Sequence, residues 1–162
     1  MGYTTAMWTE FGEALAAVAG ALTGLLFVAV SVKSAALTAS RSLSSRAAQT
    51  LVLFMTSVLV AVLLVAPQPA TALGAELLAV AAVSGVVLRI VDRRAGHDAQ
   101  QVVVRYIEKF SPNMVTAVLV GVAGLSFLLR AGGGLYWLIP AAMASLVGGV
   151  INAWLFLVRV TS

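Results

Sequence analysis

The chain has 162 residues, of which 61% are hydrophobic and 10% charged, and a formal net charge of +4; its mean hydropathy is +1.04 and its pI about 10.1. Soluble domains run at about half apolar and about a quarter charged, so composition excludes a water-solvated globule, and the lack of cysteine excludes disulfides, thiolate catalysis and thiolate metal sites. The basic residues stand beside apolar runs, which reads as membrane orientation with anionic lipid headgroups as partners at the inner face, and argues against nucleic acid.

Met1 to Glu13 carries Glu10 and Glu13 but no Lys or Arg, the reverse of a basic leader, so the first apolar run reads as a retained span and not as a cleaved signal. Ala14 to Val32 is uncharged and matches the roughly 20 residues that cross a bilayer core. Trp8 and Phe11 at its outer end suit an interfacial belt, and Lys33 at its inner end can snorkel. The segment Ser34 to Arg46 reads as a cytoplasmic connection. A second span covers about 47–66 and stops at Pro67-Gln68-Pro69, where two prolines cannot continue a helix. A third span, about 70–88, follows through a tight outer hairpin.

Arg89, Asp92, Arg93 and Arg94 close the third span and open a loop reaching Pro112. Within the loop Val103, Ile107 and Phe110 fall at helical spacing with Arg105, Glu108 and Lys109 opposite, which predicts a short amphipathic helix over about 99–110, either on the inner membrane surface or extending into water. Ser111-Pro112-Asn113 is a helix start, with Ser as N-cap and Pro in the first turn. The fourth span covers about 114–129 and ends at Arg130. Ala131-Gly132-Gly133-Gly134 then reads as a flexible outer turn, followed by Tyr136 and Trp137 at the interface and a fifth span, about 135–158, that tolerates Pro140 near its start.

Threaded this way, the chain is an all-α polytopic bundle, one domain over 1–162, with five transmembrane helices, the N-terminus outside and the C-terminus in the cytoplasm. Of the ten Lys and Arg residues, only Arg130 falls outside; Lys33, Arg41, Arg46, Arg89, Arg93, Arg94, Arg105, Lys109 and Arg159 are all inside. Four spans would place the two basic loops on opposite faces.

Gly20 and Gly24 form one GxxxG step in the first span, and Ala141, Ser145, Gly149 and Ala153 form a small-residue ridge in the fifth. Such ridges let helices approach closely in lipid, either within one subunit or between copies. Glu76 lies about one turn inside the third span, where an acidic side chain is costly. With Glu13, Gln68 and Arg130 at similar depth it makes a candidate outer polar cluster. A Glu76–Arg130 ion pair supported by Gln68 is one arrangement, and an ion entrance or proton site is another. Asn152 is the candidate intramembrane amide, near Ser31 and Ser84 in depth. His97 stands alone in its loop, and no GxSxG, HExxH or P-loop occurs, so no metal, cofactor or catalytic role is expected.

Several elements resemble a family of small actinobacterial membrane proteins with five predicted spans, sometimes labelled modulators of a membrane-bound AAA protease. They are Trp8 with Glu10-Phe11, the run Thr23 to Val32, Pro67-Gln68 with Leu73-Gly74-Ala75-Glu76, Gly134 to Pro140, and Asn152-Ala153-Trp154. The family pattern places an Asn after the Phe-Val-Ala-Val-Ser-Val run, where this chain has Lys33. The resemblance implies a bacterial cytoplasmic-membrane protein and supplies no transferable catalytic residues. The expected function is non-enzymatic: self-association as a homo-oligomer, or docking to a membrane partner. The alternative is a small oligomeric channel or transporter with a polar route near Glu76 and Asn152.

Overall fold

Long runs of Ala, Leu and Val broken by proline or glycine leave helix as the structure that satisfies every backbone group in lipid, and the computed structural model is built that way. It describes residues 5–32, 34, 41–94 and 112–161. Its helices are α1 (Thr9–Val32), α2 (Arg41–Val65), α3 (Ala70–Arg94), α4 (Pro112–Leu129) and α5 (Leu138–Thr161), with short 3-10 turns at Ala6–Trp8 and Gly134–Trp137. No strand occurs among the described residues. Thr9–Val32, Ser44–Val65, Ala70–Val91 and Gly134–Trp154 are long and apolar enough to cross a membrane, and Met114–Leu129 is a shorter apolar helix.

The helices extend beyond the runs expected from hydropathy alone. Helix α1 starts at Thr9, α3 runs on to Arg94, and the second half of the expected 34–46 connection is the first part of α2. Charged and hydroxyl residues still propagate a helix once its apolar part is packed. The amphipathic segment expected over 99–110, and Lys33, lie outside the described residues.

Helices α2 to α5 close a four-membered ring in which each packs on its chain neighbours and α5 packs back on α2; α1 lies outside the ring along α2. Contacts fix the directions. Gly74 meets Leu128, Gly124 meets Leu77, Gly121 meets Ala81 and Gly85 meets Ala117, so α3 and α4 run antiparallel along most of α4. Ser57 pairs with Ser145 and Gly149 lies on Phe54, so α2 and α5 are antiparallel too.

The link from α2 to α3 shows why Gln68 stands between two prolines. The Leu63 carbonyl would accept the N–H of residue 67, but Pro67 has none. The Gln68 side-chain amide donates to that carbonyl instead, at 2.9 Å. At the other turn of this end, α4 stops at Arg130 in a left-handed conformation, φ 51°, the usual helix-ending geometry. Gly132, Gly133 and Gly134 follow at φ 81°, 107° and 61°, which side-chain-bearing residues rarely adopt. This turn is knit rather than loose. The Ser126 hydroxyl donates to the Ala131 carbonyl and accepts the Gly134 N–H at 2.8 Å, while Trp137 Nε1 donates to the Gly132 carbonyl at 2.7 Å. Sequence suggested a flexible turn because glycine permits one; here the glycines supply geometry.

Candidate functional site

The bundle interior differs between its two ends. At the end holding the 66–69 link and the 130–137 turn, Leu64, Leu73, Leu77, Phe127, Leu135 and Leu138 belong to one buried apolar cluster with Trp8 and Leu15 of the α1 end. Trp8, which the sequence suggests for an interfacial belt, is 6% exposed and packs within the protein. Its ring meets Phe11 at 5.6 Å and Tyr136 at 5.2 Å, both edge-on, and so ties the start of α1 to the start of α5.

From the middle toward the opposite end the interior carries hydroxyls. Thr56 and Ser84 pair at 2.8 Å across α2 and α3, and Ser57 and Ser145 pair at 2.8 Å across α2 and α5. Ser145 also reaches the Leu53 carbonyl at 2.9 Å, and Ser45 donates to the Val91 carbonyl at 3.2 Å. Thr23, Thr50 and Thr56 each donate to the carbonyl four residues back, which satisfies a hydroxyl without a second helix. Between the two zones lies a void of about 10 Å³ bordered by Thr56, Ser57, Thr116 and Leu138, at the lower limit for a single water, about 10–15 Å³. The signal for the α2 hydroxyls is spacing in two pairs, since Ser45 and Thr56, and Thr50 and Ser57, each stand close to a whole number of turns apart.

The α5 ridge is used inside the chain. Ala141 and Ser145 are buried, Gly149 lies on Phe54, and Ala153 is half-buried at the far end. Gly20 and Gly24 are placed differently: both are exposed, and a Cβ at either would meet nothing within 4 Å. Glu13 and Ala17 on the same side of α1 are exposed as well. Close helix approach in this bundle instead depends on Gly12, Gly74, Gly124 and Gly149. For α4 the signal was the small-residue series Ala117, Gly121, Gly124.

The expected outer polar cluster does not assemble. Glu13 and Arg130 are exposed, Gln68 is engaged by Leu63, and Glu76 Oε2 is buried with no hydrogen-bond partner, so the Glu76–Arg130 ion pair is not formed. Arg130 stands in the left-handed turn that ends α4, and Glu76 lies off the α3 stripe of Gly74, Leu77 and Leu78 that meets α4. Asn152 is half-buried on α5, one helical turn beyond Gly149, and its expected neighbour by depth, Ser84, bonds Thr56. Among the described residues no three His, Asp or Glu side chains gather as metal ligands would. Compared with family models, curated proteins and solved structures, the chain matches none.

Proposed function

We propose that the chain is a non-enzymatic integral protein of the bacterial cytoplasmic membrane that acts by self-association through the Gly20–Gly24 face of α1. In this reading all five helices cross the bilayer, with the N-terminus outside and the C-terminus in the cytoplasm. Helix α4 has 18 residues, about 27 Å at 1.5 Å per residue, against a hydrocarbon core of about 30 Å. It also lies antiparallel along α3, so a bilayer that contains one contains the other. The basic residues supply the orientation.

The observation that carries the proposal is the open GxxxG step. The α5 ridge is filled by α2, whereas Gly20 and Gly24 leave a backbone surface with nothing on it, the kind of surface a second helix approaches in lipid. Energy transfer between differently labelled copies in liposomes tests it. Gly20→Leu with Gly24→Leu is expected to abolish transfer while the monomer stays folded; undiminished transfer refutes the face, and transfer only to other membrane proteins replaces self-association with docking to a partner.

A second reading, an oligomeric channel or transporter with a polar route near Glu76 and Asn152, draws on the unpartnered Glu76 Oε2. Ion flux in liposomes that falls with Glu76→Gln would favour it. The apolar plug around Leu73, Leu77 and Leu138 weighs against such a route within a single subunit.

A further inference from the structure

Among the described residues the side chains of Glu76 and Arg130 are both left without a partner. Arg130 is exposed, and it is the only basic side chain described at the end of the bundle that holds the 66–69 link and the 130–137 turn. Glu76 is half-buried, with one carboxylate oxygen sealed off, where an unmatched polar atom is costly. Glu10 and Glu13 are exposed and have no such need.

Direction, and not depth, separates the two groups within one chain. Gly74, Leu77 and Leu78 of α3 meet α4. Glu76 leaves α3 about 200° round from Gly74, on the side away from α4, and about 80° round from Ser84, which bonds Thr56 of α2. Along the bundle axis they are close. Because Gly74 packs on Leu128, Glu76 is level with Ser126, and Arg130 stands four residues nearer the end, about 6 Å at 1.5 Å per residue. The three methylenes and guanidinium of an arginine span that drop. Copies that share one orientation in the bilayer, as in the topology proposed above, are related by axes along the membrane normal, so the same drop separates Glu76 of one copy from Arg130 of the next.

We infer that Glu76 of one copy pairs with Arg130 of a neighbouring copy, and that this pair joins α1-held dimers into larger assemblies. The inference rests on the self-association proposed above, since one ion pair covers too little surface to hold two chains by itself. The planar guanidinium fork suits the carboxylate and completes a site that a single chain leaves open.

Crosslinking of the cysteine-free chain tests the pair. Full-length Ala72→Cys and Ala131→Cys copies carrying different tags are mixed in liposomes and treated with a short bismaleimide. Ala72 lies one turn before Glu76 and Ala131 follows Arg130, so both charges stay in place. The expected product carries both tags, while either variant alone gives little product because unlike residues meet. Glu76→Gln or Arg130→Gln, added to both copies, should lower the mixed product about tenfold and leave Gly20→Cys dimers unchanged; Arg130→Lys, which keeps the charge, should retain most of it. Equal yield after Glu76→Gln, an equal product from Ala72→Cys alone, or a 72–131 link within one chain of the double variant would overturn the proposal. Absence of the mixed product while Gly20→Cys dimers form overturns the ion pair and leaves the α1 face standing, whereas absence of both products overturns the two together.

Discussion

Gly149→Ala and Gly20→Ala place the same methyl group in two helices with opposite expected outcomes. At Gly149 the new Cβ would lie 2.2 Å from Phe54 Cε1 and 2.7 Å from Cζ. Phe54 is 1% exposed, so its ring has no free side to move to, and α5 must back away from α2 by more than an ångström. Overpacking of this kind costs about 1–3 kcal/mol. Separation also stretches the Ser57–Ser145 bond one turn away, and interhelical bonds in membranes contribute about 0.6 kcal/mol, at most about 1.7. Against this stands the helix preference for Ala over Gly, about 1 kcal/mol. The expected net effect is destabilisation on the order of 1–3 kcal/mol. At Gly20 the methyl meets nothing, so only the propensity term acts, and the monomer gains up to about 1 kcal/mol. Unfolding in mixed micelles of increasing dodecyl sulfate, followed by circular dichroism, measures both. Phe54→Leu should partly rescue Gly149→Ala and have no effect on Gly20→Ala. Two variants that shift stability in the same direction by similar amounts would refute the α2–α5 packing argued here.

Three further outcomes follow from particular bonds. Gln68→Ala should cost about 0.5–1.5 kcal/mol in the same unfolding assay, and Pro67→Ala should suppress that loss by returning an N–H to the Leu63 carbonyl; no suppression would mean that Gln68 has another role. A double-mutant cycle of Ser57→Ala and Ser145→Ala should give a coupling of about 0.6–1.7 kcal/mol, and additive effects would contradict the pair. Trp8→Ala should cost about 3–5 kcal/mol and raise proteolysis of α1 selectively, because Trp8 ties that peripheral helix to Tyr136; uniform proteolysis across the chain would count against the clasp.

The helices themselves were legible because lipid-compatible helices need only long apolar runs bounded by breakers, and Pro67, Pro69 and the three glycines mark those breaks. Packing partners were less legible. Gly149 and Gly20 look alike in sequence, yet one is buried on Phe54 and the other open, because the distinction depends on which helix lies alongside. Trp8 illustrates the same limit: the sequence shows an aromatic residue before a span, and only the fold brings Tyr136 onto its ring. Hydropathy gives Glu76 and Arg130 a similar depth but says nothing of direction around a helix, and within the chain the two do not pair. The α2 hydroxyls became meaningful only once α3 and α5 supplied Ser84 and Ser145 across from them.

Self-association through α1 is tested most directly by single-cysteine crosslinking in native membranes, which the cysteine-free chain makes clean. A disulfide needs Cα atoms about 4.4–6.8 Å apart, a distance that close approach of two copies at this glycine step provides. Gly20→Cys and Gly24→Cys are expected to give oxidised dimers, while Val83→Cys, exposed on α3, and the buried Ser145→Cys remain monomeric. Absence of dimers at Gly20 and Gly24, or equal dimer yield at Val83, would contradict the account.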